Sequence, residues 1–234
     1  MIVLGFDTAT SATDVALLDE ALPQHDATRR HEPAPGERPG HAAKLLALCA
    51  ELLDASALNF TDVDRIAVGL GPGGFTGLRI GVATARALAQ STGAELVGVS
   101  TLRALAAVAE PLAPAGSGVL AVIDARRGEV FAAGWRGGEP VFEQVASTPE
   151  QLALHIGEEG GAWLAVGDGA LRFRADLEGA GCCVPPDGSA QHGVSARMIC
   201  RLALQASQGT VRDLVVPDYL RRPDAVPARK KTAQ

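Results

Sequence analysis

Asp7 closes the first apolar run of the chain and is followed at once by Thr8-Ala9-Thr10, a turn of small residues. A carboxylate at a strand end, beside a nest of backbone N–H groups and hydroxyls, can hold a metal-bound phosphate. The same four residues also suit a plain β-hairpin in which Asp7 bonds its own turn. The second chemical signal is Gly71-Pro72-Gly73-Gly74-Phe75-Thr76-Gly77-Leu78-Arg79, set between an apolar strand and a helix start. Amides of Gly71, Gly73, Gly74, Thr76 and Gly77 at a helix N-terminus can point at an anion, with the helix dipole adding to the attraction. The alternative is an elbow whose glycines are needed because two backbones touch. The string is not a P-loop, since it has no Gly-Lys-Ser/Thr, and it is not a Rossmann dinucleotide fingerprint.

Other reactive groups are sparse. The five histidines, His25, His31, His41, His155 and His192, include no pair at metal-ligand spacing. Cys49, Cys182, Cys183 and Cys200 form no Cys-x-x-Cys, and none lies close to a histidine in sequence. They read as small buried hydrophobes in a reducing compartment. No Gly-x-Ser-x-Gly elbow occurs either. The expectation is a chain with no metal site and no catalytic residue of its own.

The elements that position these groups follow from apolar periodicity. Residues 2–6 read as a strand buried on both faces, 14–18 as its return strand, and the Pro-rich 20–40 stretch as an edge strand or exposed loop. Residues 41–53 form a helix with leucines on more than one stripe. A strand at 64–69 leads through the glycine-rich string into an Ala/Gly-rich helix at 78–90, then a strand at 95–99 and a helix at 101–109. After a Pro/Gly break at 110–118 the theme restarts: strand 119–124 ending in Asp124, hairpin turn 125–129, strand 130–135. A strand at 163–166, closed by Gly167-Asp168-Gly169, and a long helix at 190–208 follow, with a basic tail that includes Arg229-Lys230-Lys231. The expectation is an α/β fold of two similar lobes, residues 1–109 and 110–234, each a mixed sheet with helices.

The bulk numbers agree. The 234 residues are 47% hydrophobic with mean hydropathy +0.14, enough for a filled core. Aromatic residues are 4%, too few for base-stacking platforms, and a net charge of −6 with pI near 5.4 excludes a dominant phosphate-binding field. No signal-peptide pattern opens the chain and no apolar run approaches the ~20 residues of a membrane span, so the cytoplasm is the expected location.

Five strings taken together carry a resemblance: Ile2 to Thr10, the glycine-rich run to Gly81, Gly98-Val99-Ser100-Thr101-Leu102, Ile123 to Val130, and Pro217-Asp218-Tyr219-Leu220-Arg221. In that order they resemble the TsaB (YeaZ) family over nearly the whole chain. The resemblance implies a two-lobed actin-like fold of the ASKHA, ribonuclease-H-like class. It also implies a subunit of the bacterial machinery that makes threonylcarbamoyladenosine at position 37 of tRNAs reading ANN codons. The implied partners are the catalytic paralogue TsaD and the ATPase TsaE, with tRNA contacted through the complex and a homodimer as a further form. ATP, ADP and metal belong to those partners, and no cofactor is expected here.

Two departures from catalytic relatives stand out. Active actin-like phosphate loops carry glycine where this chain has Ala9. TsaD-like chains carry His-x-x-x-His after the strand matching 95–99, where this chain places Thr101 and Leu105. The turn and glycine loop are therefore expected as a degenerate nucleotide site, and the helices at 41–53 and 78–90 as the partner face. On those helices the expected contact residues are His41, Leu45, Leu48, Leu52, Arg79, Ala83, Arg86 and Ala87. An actin-fold small-molecule kinase is the alternative function. A peptidase is a remote third, without ligands or nucleophile to support it.

Overall fold

The computed structural model describes residues 1–23, 26–34 and 36–221. Among them, ten strands make two five-stranded sheets of matching topology. The first has the order β3-β2-β1-β4-β5, from β1 (Ile2–Asp7), β2 (Thr13–Asp19), β3 (Ala27–His31), β4 (Arg65–Gly69) and β5 (Glu95–Val99). The second has the order β10-β9-β6-β7-β8, from β6 (Gly118–Arg126), β7 (Glu129–Arg136), β8 (Glu139–Ser147), β9 (Trp163–Val166) and β10 (Cys182–Cys183). In each, two hairpin-linked antiparallel pairs are extended on the other side by two parallel strands. Asp7 and Asp124 stand at equivalent places, each at the end of its sheet's central strand beside a hairpin turn.

The sheets are apolar on both faces because helices cover both. On one face of the first sheet, Leu4, Phe6, Val15, Leu17, Ile66 and Val68 pack under α1 (His41–Ala55) and α2 (Phe75–Thr92). Gly77, Gly81, Ala85 and Ala89 share the buried face of α2 with Leu78 and Val82, and the glycines let the helix lie close against the first turn. Its end is set by Gly93 in the left-handed region (φ 77°), which closes the last turn.

α3 (Thr101–Ala109) follows the first sheet in sequence but packs Leu102, Leu105, Ala106 and Ala109 on the second. The far face of the second sheet is covered by α4 (Pro149–Glu159), α5 (Asp168–Arg172) and α6 (Arg174–Gly179). α7 (Ala196–Leu204) then returns to the first sheet, where Ala196, Ile199, Cys200 and Ala203 meet Val3, Ala16 and Ala67. Residue 109/110 thus divides the sheets, while the helical layers cross that division.

One expected element differs. The long helix at 190–208 is a single 3-10 turn, Ala190–His192, followed by the shorter α7. Gly193-Val194-Ser195 runs extended between them, and the Ser195 hydroxyl accepts from the Met198 N–H (3.4 Å) to start a fresh helix. α2 also begins earlier than expected, at Phe75, with Gly74 extended ahead of it. β8, α4, α5, α6 and β10 add to the elements read from sequence. Among the described residues no helix is long and apolar enough to cross a membrane. Arg229-Lys230-Lys231 lie outside the described residues.

Candidate functional site

β1 delivers Asp7 into the interior, 1% exposed. Its Oδ1 accepts the Ala9 N–H (2.7 Å) and its Oδ2 accepts the Thr101 hydroxyl (2.7 Å). Burial lifts its pKa to about 6, against the lowering effect of those two hydrogen bonds. Thr8, fully buried, donates its hydroxyl to the Gly77 carbonyl (2.8 Å). The Ala9 carbonyl accepts the Gly74 N–H (2.7 Å). Thr101 completes the knot: its Oγ1 accepts the Gly71 N–H (3.1 Å) and its own N–H donates to the Gly71 carbonyl (2.8 Å).

The glycine-rich string is therefore pressed directly onto the first turn. A Cβ on Gly73 would stand 2.3 Å from the Ala9 carbonyl oxygen, and one on Gly77 would stand 2.0 Å from that of Thr8. Gly69 and Gly81 are tight against side chains instead, the Asp7 carboxylate and the Thr8 hydroxyl. Gly73 and Gly77 are needed where backbone meets backbone. Of the sequence's two readings of this string, the contact elbow describes Gly73 and Gly77.

Thr8, Thr10, Gly73, Gly74, Thr76 and Gly77 nonetheless border a cavity of about 680 Å³ between the lobes. Its other wall is the second hairpin, Ile123 to Arg126, with Asp168. There Asp124 accepts from Arg172 Nη1 (2.7 Å), Arg126 Nη1 (3.2 Å) and the Arg126 N–H (2.8 Å). Asp168, whose pKa burial and the Asp124 charge both raise, accepts the Asp124 N–H at 2.9 Å. A nucleotide phosphate with its metal would need the Asp7 carboxylate and the turn amides turned toward the cavity. Here both Asp7 oxygens, the Ala9 N–H and the Thr8 hydroxyl are held by the protein itself. These residues do not fit a phosphate–metal pair, and no chemical step is assigned to the cleft.

Of the two positions that the resemblance set against the TsaD-like histidines, Thr101 braces Asp7 and Leu105 is wholly buried against the second sheet. A metal at this place would have to displace core packing. The importance of Thr101 as a brace was not readable from sequence, because its partner lies 94 residues away.

Of the residues expected at a partner face, several are buried in this chain's own core. Leu45 and Leu52 are 1% and 0% exposed and belong to the core under α1. His41 is buried too, with Nδ1 2.8 Å from the Thr13 hydroxyl, and burial holds its pKa below the usual histidine value. Leu48 is half-buried against the same core. What α1 turns outward includes Ala42, Ala43, Leu46 and Ala47, with Leu46 50% exposed, beside the charged Lys44, Glu51 and Asp54. On α2, Ala83 and Ala87 are exposed, while Arg79 and Arg86 are tied down by the C-terminal segment. Arg79 Nε donates to the Tyr219 hydroxyl (3.1 Å) and Arg86 Nη2 pairs with Asp213 (2.8 Å). A leucine stripe wider than one core contact signalled an outer face, but periodicity alone picked the wrong leucines for it.

Comparison with known proteins agrees with this architecture. The family described as "TsaD: tRNA N6-adenosine threonylcarbamoyltransferase" matches residues 37–154. The chain is 35% identical over 177 residues to "tRNA threonylcarbamoyladenosine biosynthesis protein TsaB" of Escherichia coli, 72% of either length. It matches the structure of YeaZ from Pseudomonas aeruginosa with a TM-score of 0.73 at 26% identity, over 93% of this chain and 100% of that one. A ROK hexokinase from Thermus thermophilus shares the fold alone, at TM-score 0.51 and 12% identity over 88% of this chain and 100% of that one. The fold is two-lobed and actin-like, and the chain belongs to the TsaB (YeaZ) family.

Proposed function

We propose that the protein is a non-catalytic subunit in the biosynthesis of tRNA threonylcarbamoyladenosine, acting by binding and activating a TsaD-like catalytic subunit. One observation carries this reading. The packed pair α1 and α2 exposes a band of small and apolar residues, Ala42, Ala43, Leu46, Ala47, Ala83 and Ala87, on the face away from its own core. Small side chains on both helices suit close helix–helix packing, at the short end of the usual ~8–10 Å range. The family relationship supports a paralogue carrying the equivalent helix pair as the partner. A second copy of this chain would meet the same face in the absence of that partner. A TsaE-like ATPase completes the assembly, and tRNA is met through the complex.

Co-purification with the TsaD homologue of the same organism tests the proposal. A stable heterodimer that is lost with Ala83→Glu or Ala87→Arg is the expected result. A small-molecule kinase is the second reading, favoured by the cavity between the two hairpins. ATP turnover by the isolated chain with sugar or acid acceptors would select it instead.

A further inference from the structure

Beyond α7 the chain runs along α2 and then crosses from the first lobe to the second within four residues. The Asp218 N–H donates to the Leu70 carbonyl (2.8 Å) just after β4, while its carboxylate accepts Gln144 Nε2 from β8. Tyr219 stays with the first lobe, its ring centroid 5.1 Å from that of Phe75 and its hydroxyl accepting from Arg79. Leu220 packs on the core of the second lobe. Arg221 Nη1 then bonds Glu129 on β7 at 2.6 Å.

Consecutive residues therefore grip opposite lobes, and all four line the interlobe cavity. We infer that Asp218–Arg221 is a latch that holds the two lobes at one opening and closes one side of the cleft. The grip is made of partly exposed contacts. The Arg221–Glu129 side chains are 28% and 38% exposed, and ion pairs open to water in this way are weak. A set of weak, parallel contacts holds one arrangement yet releases without unfolding either lobe. Two-lobed folds of this architecture move by hinge closure, and a segment bound to both lobes sets how far they part. The latch is argued from these contacts and does not depend on the proposed partner.

The test measures the distance between lobes in the full chain. Cys183 is exposed on the second lobe, whereas Cys49, Cys182 and Cys200 are buried, so it takes one spin label without further change. A Glu51→Cys substitution on the exposed side of α1 takes the other. The labelled parent should give one narrow distance distribution by pulsed electron resonance. Gln144→Ala with Arg221→Ala should broaden it toward longer distances and speed amide exchange in the 8–11 turn by about tenfold. Arg86→Ala breaks an ion pair between α2 and the segment leading to the latch, short of the second lobe, and should change neither readout. If circular dichroism shows the double variant misfolded, Gln144→Ala alone is measured in its place, with the same broadening expected. A distribution and exchange rate unchanged from the parent overturn the latch, as does equal broadening by Arg86→Ala.

Discussion

The hydroxyl of Thr101 donates to Oδ2 of Asp7 across 2.7 Å, fastening the first turn of α3 to the end of β1. α3 packs Leu102, Leu105, Ala106 and Ala109 on the second sheet, so this bond ties the central strand of the first sheet to a helix that also packs on the second. The carboxylate that a phosphate-binding relative would present to its ligand here serves the protein's own frame.

The burial of Asp7 predicts a pH dependence of stability. Asp7 has a folded pKa of about 6, against 3.8 for an ordinary aspartate. A carboxyl whose folded pKa is raised contributes stability that is fully present below the unfolded pKa and lost as pH rises through the folded one. The contribution lost across that window is about 3 kcal/mol, offset in part elsewhere by carboxylates that titrate the other way. Asp14 and Asp168, also raised by burial, act in the same direction. Urea unfolding at a series of pH values should show Asp7→Asn with a flatter profile between about pH 4 and pH 7 than the parent. Parallel profiles would mean that Asp7 is not the titrating group.

The glycine loop separates contact from flexibility. Gly73→Ala and Gly77→Ala place a methyl against a backbone carbonyl and should destabilise by about 2–4 kcal/mol, because backbone cannot step aside as a side chain does. Gly157, inside α4 with open space around it, is the contrast: Gly157→Ala should stabilise by about 0.5–1 kcal/mol. Thermal or chemical unfolding of the three variants checks both signs.

On α1 the structure predicts opposite outcomes for adjacent leucines. Leu45→Asp buries a charge in the core and should prevent folding, whereas Leu46→Asp, half exposed, should leave the fold intact and weaken docking at the α1/α2 face. Ala83→Glu and Ala87→Arg should likewise fold and lose about 3 kcal/mol or more of association, since each buries an unpaired charge at the proposed contact. Circular dichroism and calorimetric titration with the TsaD homologue distinguish these effects. Full affinity in all three surface variants would move the partner to another face.

Much of this was legible in the residues and some was not, for physical reasons. β1, β4, β5 and β9 are short apolar runs between turn signals, and α3 begins at a serine cap, so local pattern suffices for each. β8 is a half-exposed strand with Pro140 near its start, and α4 buries only Pro149, Leu152 and Ile156, so neither carries a strong period. α1 has leucines on several sides, and which side meets the sheet depends on how β2 and α2 flank it. The Asp7–Thr101 bond joins residues far apart in sequence, and only the folded chain brings them together. The types of the turn and the glycine string marked them as a phosphate site or a contact elbow, and types alone left open whether they hold a ligand or one another.

The central claim is that this chain serves threonylcarbamoyl transfer by binding rather than by chemistry. A reconstituted reaction addresses it most directly, with threonylcarbamoyladenosine in tRNA quantified by mass spectrometry. The chain alone should form none, the TsaD homologue alone little, and the two together with the ATPase the full amount. Ala87→Arg should return the mixture to the level without this chain. Product formed by the chain alone, or full activity of the TsaD homologue without it, would contradict the account.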